Sequence, residues 1–324
     1  MFKTKITEML GVEYPIIQGA IQWLSRAELV SAVSNAGGLG VISSLTFPTV
    51  KELRQEIKKT RGMTDRPFAL NVTLLPTVRA VNYEEYINAA IEEGVNIIET
   101  SGRSPEPYMK LLKEAKVKVL HKATRVRDIK TAERVGVDAV TIVGFEAGGH
   151  PGMDDVASLV LIPMSVDSVK IPVIAAGGIG DARGFIAALA LGAEGVLMGT
   201  RFMASKECPL HHKIKEWLLH ARETDTLMIE RSIKNAARVM KTDFSLRLLE
   251  MEEGGVTLEE LLPLISGDRG KKSYLSGEVN DVAIFCGQVV GLIHEIPSVR
   301  EIIDGIISEA KLIGKRLYNL GICV

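Results

Sequence analysis

Short runs of apolar, often β-branched residues alternate with longer amphipathic stretches through the first two-thirds of the chain. The runs are 15–20 (PIIQGA), 39–44 (LGVISS), 68–73 (FALNVT), 96–101 (NIIETS), 118–123 (KVLHKA), 139–144 (AVTIVG), 172–178 (PVIAAGG) and 195–200 (GVLMGT). Each is almost continuously apolar instead of alternating with polar residues. That pattern belongs to strands buried on both faces, as in a parallel sheet under helices. Helical segments are predicted at 26–35, 84–93, 125–135 and 182–191, each closed by a glycine (Gly37, Gly94, Gly136, Gly192) where a left-handed stop is needed. Eight strand–helix units in this span predict an α/β protein built as a (β/α)8 TIM barrel. A doubly wound sheet usually has fewer strands.

After Thr200 the pattern changes. Residues 210–275 carry EWLLHARE, SIKNAARVMKT and VTLEELLPLISG, with few strand signals, and are predicted to be a mostly helical insertion beside the barrel mouth. The division expected is a barrel of residues 1–206 and 277–324 with an additional helical domain at 207–276. A final amphipathic segment at 280–320 is expected to close the ring.

Composition narrows the class. In 324 residues, 39 Lys and Arg balance 40 Asp and Glu, a net charge of −1. No basic surplus or stripe suggests nucleic acid as a partner. Three scattered cysteines (Cys208, Cys286, Cys323) make neither a disulfide framework nor a zinc site and suggest a reducing compartment. The opening MFKTKITEML lacks the apolar core of a signal peptide, and no run is long enough to span a membrane. A cytoplasmic location without membrane partners is the expectation.

In such a barrel the chemistry sits at the C-terminal ends of the strands. Gly177-Gly178 after the seventh strand and Gly199-Thr200 after the eighth would expose main-chain N–H groups beside a helix start, an anion pocket. The ligand implied carries a phosphate: a nucleotide, a sugar phosphate or flavin mononucleotide (FMN). Lys122 ends the fifth strand, as a Schiff-base lysine, a counter-ion to an anionic ring or a snorkelling surface residue. His150 lies in a glycine-rich loop after the sixth strand, either on the rim of a flat ligand or bonded only to backbone. With an ordinary pKa near 6.5 it can accept or donate a proton at neutral pH. His211 and His212 are adjacent and do not share a helix face, so no metal site is expected there. Cys208 is expected to be a packing residue more than a reactive thiol. GDARG after the seventh strand lacks the spacing of a dinucleotide fingerprint.

The combination of YPIIQGAIQW, NVTLLP, HKATRV, GFEAGGHPG, IPVIAAGGI, GAEGVLMGTRF and the C-terminal GQVVGL resembles the 2-nitropropane dioxygenase or nitronate monooxygenase family of FMN-dependent TIM barrels, over essentially the whole chain. The resemblance implies an oxidoreductase with FMN as cofactor and NADH or NADPH as transient co-substrate. It implies one of three activities: oxidation of alkyl nitronates with O2, NADH:quinone reduction, or flavin-dependent enoyl-acyl-carrier-protein reduction. The loop GFEAGGHPGMDD, with its Pro151-Gly152-x-Asp154-Asp155 extension, looks most like the quinone reductase subgroup. Ala147-Gly148, where that subgroup has Cys-Ala, and Gly287-Gln288 look more like the other two. Asp154 and Asp155 would then disfavour the extra phosphate of NADPH, or simply start the next helix.

By the same resemblance, Gly19, Ala20, Ile21 and Gln22 would line the flavin ring, and Asn71 and Lys122 would contact its ring and ribityl region. Ala147, Gly148 and Gly149 would continue the cradle, Gly177, Gly178, Gly199 and Thr200 would hold the phosphate, and Gln288, with Ser276-Gly277, would approach the cofactor. His150 matches the family's active-site histidine. The second partner is a small molecule: a quinone, a nitronate or an enoyl thioester. A homodimer is compatible with the resemblance. Two rival classes are a Schiff-base aldolase using Lys122 and a phosphate-ligand sensor without turnover.

Overall fold

The computed structural model describes residues 3–75, 81–265 and 267–322, with the side chains of 267–269 left aside. Pro76 of NVTLLP, Ser266 and Cys323 lie outside them.

All eight anticipated strands form: β1 (Ile16–Gln18), β2 (Gly40–Ser43), β3 (Phe68–Leu74), β4 (Ile97–Gly102), β5 (Lys118–Ala123), β6 (Ala139–Val143), β7 (Val173–Ala176) and β8 (Gly195–Met198). They pair in parallel in the order β1-β8-β7-β6-β5-β4-β3-β2. The ring closes at Leu39, whose N–H donates to Ile16 and whose carbonyl accepts from Gln18, each at 2.9 Å. The interior is filled by side chains such as Ile17, Val41, Ala69, Leu120, Ile174 and Leu197. Ile6 and Leu10 of α1 (Lys5–Leu10) join this cluster.

The covering helices are α2 (Ala27–Asn35), α3 (Val50–Arg61), α4 (Tyr83–Glu92), α5 (Glu106–Glu114), α6 (Val126–Arg134), α7 (Ser158–Val166) and α8 (Ala182–Ala190). Gly37, Gly94, Gly136 and Gly192 take φ of 93°, 77°, 92° and 93°, the left-handed stops the sequence required. The last helix of the ring is α14 (Val299–Asn319), packed against α8 and α2. It begins later than the amphipathic pattern suggested, because Ser298 and Glu301 form a reciprocal cap that fixes its start. Residues 280–298 before it hold only a short 3-10 turn at Gln288–Leu292.

After β8 come α9 (Thr200–Met203), α10 (His212–His220), β9 (Thr226–Ile229), β10 (Ala237–Met240), α11 (Asp243–Glu253), α12 (Leu258–Ile265) and α13 (Gly267–Ser276). The helical reading of SIKNAARVMKT needs correction: its second half is β10, antiparallel to β9, with Ala237 opposite Ile229 and Met240 opposite Thr226. Helix propensity in Ala-Ala-Arg is overridden by pairing to distant chain, since Arg238 bonds Gly149 and Met240 bonds Ile284. Ile229, Ala237, Val239, Phe244, Leu248 and Leu261 form a small apolar cluster here, joined by Ala283. Among the described residues no helix is long and apolar enough to cross a membrane.

Candidate active site

One side of the barrel mouth is made of main chain. β7 runs into Gly177 and Gly178, with φ of 95° and 70°. A Cβ on Gly177 would stand 2.9 Å from the Gly144 carbonyl oxygen, so conformation and space both demand glycine. Ser158 N–H, at the start of α7, donates to the Glu146 carboxylate at 3.0 Å, and Ser158 Oγ lies 3.0 Å from both Glu146 Oε2 and the Gly177 carbonyl. Asp181 caps α8 through the N–H groups of Arg183 and Gly184. Gly199 precedes α9 and has open space where a Cβ would point, and Thr200 Oγ1 accepts from the Gly287 N–H at 2.9 Å.

The opposite side is made of side chains. Asn71 on β3 and Glu99 on β4 are register partners, and Ser101 pairs with Lys122 on β5. Glu99 is buried, and its Oε2 accepts from Asn71 Nδ2 at 2.7 Å and Lys122 Nζ at 3.2 Å. Thr73 Oγ1 donates to Asn71 Oδ1 at 2.8 Å and lies 3.1 Å from Ser101 Oγ. Glu99 Oε1 is buried with no hydrogen-bond partner among the described residues. Lys122 is therefore an ion-paired cation at the strand end. Its neighbour His121 packs with Nδ1 2.9 Å from Thr100 Oγ1; burial, helped by the Lys122 charge, pushes its pKa down to about 4. It is a neutral structural imidazole.

The first loop is shaped by Gln18 and Ser25. Gln18 Nε2 donates to Ser25 Oγ at 2.7 Å and to the Gly19 carbonyl; its Oε1 accepts from the Val41 N–H at 3.1 Å. Ser25 Oγ accepts from the Ile21 N–H at 2.7 Å. This clasp bends Gly19, Ala20 and Ile21 over the strand end, while Gln22 and Trp23 line a small pocket with Glu230, Tyr274 and Phe285.

The rim is tied by backbone. Gly149 and Arg238 exchange two main-chain hydrogen bonds of 3.1 and 2.7 Å, joining the glycine loop to β10. Arg238 also donates to the Phe145 carbonyl at 3.0 and 3.2 Å and lies over the Phe145 ring. The Gln288 N–H donates to the Glu146 carbonyl at 2.9 Å, which brings Gln288 to the same loop. Ala147 and Gly148 sit between these ties. His150 stands on the rim, its ring 5.5 Å from Phe285 and its Nε2 3.2 Å from Asn235 Nδ2. Crowding by protein pushes its pKa down; with 39% of the side chain open to solvent, that push is tempered.

The residues singled out in the sequence thus gather at one end of the barrel, with exceptions. Ser276-Gly277 closes α13 against His211. Asp154 pairs with Arg125 at 2.7 Å and Asp155 with Arg231 at 2.5 Å; neither lies in the first turn of α7, which starts at Ser158. His211 accepts from the Lys213 N–H to cap α10. Cys208 is buried, which raises its thiol pKa to about 11 and makes it a packing residue. Sequence reasoning missed Glu99, Ser25, Ser158, Glu230 and Asn235, each meaningful only through a partner brought close by folding.

Known proteins match this arrangement. The family model for nitronate monooxygenase matches residues 3–309. A Rhodococcus jostii (strain RHA1) protein named (3aS,4S,5R,7aS)-5-hydroxy-7a-methyl-1-oxo-octahydro-1H-indene-4-carboxyl-CoA dehydrogenase is 32% identical, over 98% of each chain. A probable nitronate monooxygenase of Staphylococcus haemolyticus (strain JCSC1435) is 34% identical over 79% of this chain and 82% of its own. The structure of FabK from Thermotoga maritima superposes with a TM-score of 0.92 at 37% identity, covering 99% of this chain and 100% of that one. With the barrel and its mouth described, the chain belongs to the nitronate monooxygenase family and is an oxidoreductase.

Proposed function

We propose that this enzyme is an FMN-dependent reductase of enoyl thioesters that takes its electrons from NADH or NADPH. The observation carrying the choice of branch is the contact between Gly148 and Gly287. A Cβ on Gly148 would lie 2.7 Å from the Cys286 carbonyl carbon and the Gly287 nitrogen; one on Gly287 would lie 2.9 Å from the Gly148 nitrogen. Ala147-Gly148 and Gly287-Gln288, the two features that fit the nitronate and enoyl reductase branches, are thus one interlocked contact. The Cys-Ala pair of the quinone reductase subgroup would force a methyl group into it. The 151–155 extension that pointed to quinone reduction has a local job: its two aspartates tether the loop to Arg125 and Arg231. Both acids being paired, they also give little ground for NADH over NADPH. A thioester is favoured over a nitronate by the Rhodococcus relative, whose name specifies an acyl-CoA.

The residues present fit FMN. Gly177 leaves no room for a side chain and Gly178 takes a left-handed φ, open space flanks Gly199 and Gly149, and Glu99 Oε1, without a partner among the described residues, is an acceptor suited to a ring N–H. In this reading Gly177, Gly178, Gly199 and Thr200 hold the phosphate. Gly19, Ala20, Ile21, Gln22, Asn71 and Lys122 hold the ring and ribityl chain, and Ala147, Gly148, Gly149 and Gln288 complete the cradle. FMN when bound supplies reversible hydride acceptance and donation, which side chains do not offer. Lys122 keeps positive charge beside the ring, anchored by Glu99. His150 orients the thioester and holds a proton for it. Residues 207–276 act as a cap on the barrel of 1–206 and 277–324, with 283–286 working as part of the cap because they pair with β10.

Anaerobic stopped-flow mixing tests the proposal. NADH or NADPH should bleach the flavin band, and an enoyl-CoA or enoyl-carrier-protein thioester should restore it. Recovery only with a benzoquinone would favour the quinone reductases. Bleaching only by an alkyl nitronate would make the enzyme a nitronate monooxygenase, the activity named for the Staphylococcus relative. Acid-released cofactor should migrate as FMN; FAD, or no flavin after reconstitution, overturns the site.

A further inference from the structure

The hairpin of the insertion places a second titratable group beside His150. Glu230 follows β9 and is buried, with φ of 62°, a left-handed conformation that a glutamate adopts only under strain. The Asn235 amide nitrogen lies within hydrogen-bond reach of both Glu230 Oε2 and His150 Nε2. An amide NH2 has two hydrogens, one for each acceptor. Nε2 is then the acceptor nitrogen of the imidazole, and the ring proton sits on Nδ1. Glu230 Oε2 is itself 4.0 Å from Nε2.

We propose that Asn235 and Glu230 are positioning residues for His150: Asn235 holds the imidazole in its Nδ1–H form, and Glu230 is the carboxyl group that replaces the proton His150 gives up. This rests on the thioester reading above. Reduction of an enoyl thioester delivers hydride, originally from NAD(P)H, to one alkene carbon and a proton to the other. If Nδ1 alone lost its proton, an imidazolate would remain. With Glu230 as donor the step balances. The Asn235 N–H leaves Nε2 as the Glu230 O–H bond breaks and Nε2–H forms, and Nδ1–H breaks as the new C–H forms. The ring stays neutral, and the negative charge of the substrate ends on the Glu230 carboxylate, which regains a proton from solvent. The 4.0 Å gap needs to close by about 1 Å to reach hydrogen-bond length.

The surroundings suit a carboxyl that holds its proton near neutrality. Burial, opposed by the Asn235 hydrogen bond and helped by the Glu252 carboxylate of α11, raises the Glu230 pKa to about 7. The Glu230 N–H donates to Glu252. The first loop offers uncharged Gln22 and Trp23, and α13 offers Tyr274, whose phenol burial keeps neutral. Arg231, next in the chain, is paired with Asp155.

The test uses the full-length holoenzyme and its Glu230→Gln and Asn235→Ala variants. Nitrogen NMR of labelled histidine reads the His150 tautomer without substrate. The rate with crotonyl-CoA is followed from about pH 5 to about pH 9. Wild type should show Nδ1–H and a loss of kcat as pH rises through about 7. Glu230→Gln should lower kcat by roughly 10²-fold and remove that ionisation. Asn235→Ala should shift the ring toward Nε2–H. An Nε2–H ring in wild type, or an unchanged pH profile in Glu230→Gln, overturns the inference. If Glu230→Gln does not fold, the wild-type tautomer and Asn235→Ala still decide. If no thioester is turned over, the functional reading fails, whereas the tautomer tests the hydrogen-bond unit separately.

Discussion

The two sides of the barrel mouth are built from different materials. At β7 and β8 the surface is main chain, fixed at β7 by Gly177, where neither conformation nor space admits another residue. At β3, β4 and β5 it is a chain of side chains in which one buried carboxylate serves Asn71 and Lys122. The first kind of site has its geometry set by φ and by close packing, so it is all or nothing. The second has its electrostatics set by pairing, so it can be tuned. In the reading above, the backbone side grips the cofactor and the side-chain side adjusts its reactivity.

The largest expected effect breaks the backbone side. Gly177→Ala combines positive φ with a Cβ 2.9 Å from a carbonyl oxygen. It should cost about 2–5 kcal/mol and abolish flavin retention, measured by denaturant unfolding and by the flavin-to-protein absorbance ratio. Normal retention would mean that the turn is not the phosphate grip. Gly148→Ala should be milder, about 1–3 kcal/mol, because Gly148 meets the same kind of backbone crowding without a positive φ. Its thioester turnover should fall more than its flavin content does; equal losses would make the contact merely structural.

The side-chain side is sharpened by a double-mutant cycle. Lys122→Met should lower the flavin reduction potential by roughly 30 mV, since positive charge is lost beside the reduced ring. Glu99→Gln should raise it, and should cost about 1–2 kcal/mol of stability because Lys122 remains without its partner yet keeps some solvent. The double variant should return close to the wild-type potential. That return is the sum of two opposite shifts; a double variant that stays as low as Lys122→Met alone would show Glu99 acting only through Lys122. The smallest effect is expected for Asp154→Asn: its pair with Arg125 is partly exposed and worth at most about 1 kcal/mol. The NADH to NADPH rate ratio should stay within roughly twofold; a large swing would restore Asp154 as a selector of nucleotide.

The same contrast explains what was legible in the sequence. A backbone-built feature leaves a local mark: Gly177-Gly178 and the eight apolar runs are visible because each depends on its own few residues. Lys122 and Asn71 were visible as polar residues on buried strands. Their partner Glu99 was not, because NIIETS reads as a strand whatever its one acid does, and only the β3–β4 register brings it to Asn71. The hairpin was hidden for the same reason. Nothing within SIKNAARVMKT favours a strand strongly enough to outweigh Ala-Ala-Arg; the pairing comes from β9 and from Gly149 and Ile284, far along the chain. Glu230 and Asn235 were hidden with it.

The tie between Gly149 and Arg238 uses only main-chain atoms. It therefore places no demand on which side chains the hairpin displays to the mouth. Residues along 226–240 other than Glu230, Asn235 and Arg238 can be exchanged over generations, or in a directed library, while the glycine loop stays anchored. In the thioester reading, the substrate range of this barrel can drift by changes in a segment that neither carries the eight-stranded wall nor belongs to the glycine turns of β7 and β8, so new acyl groups can be accommodated without rebuilding the enzyme.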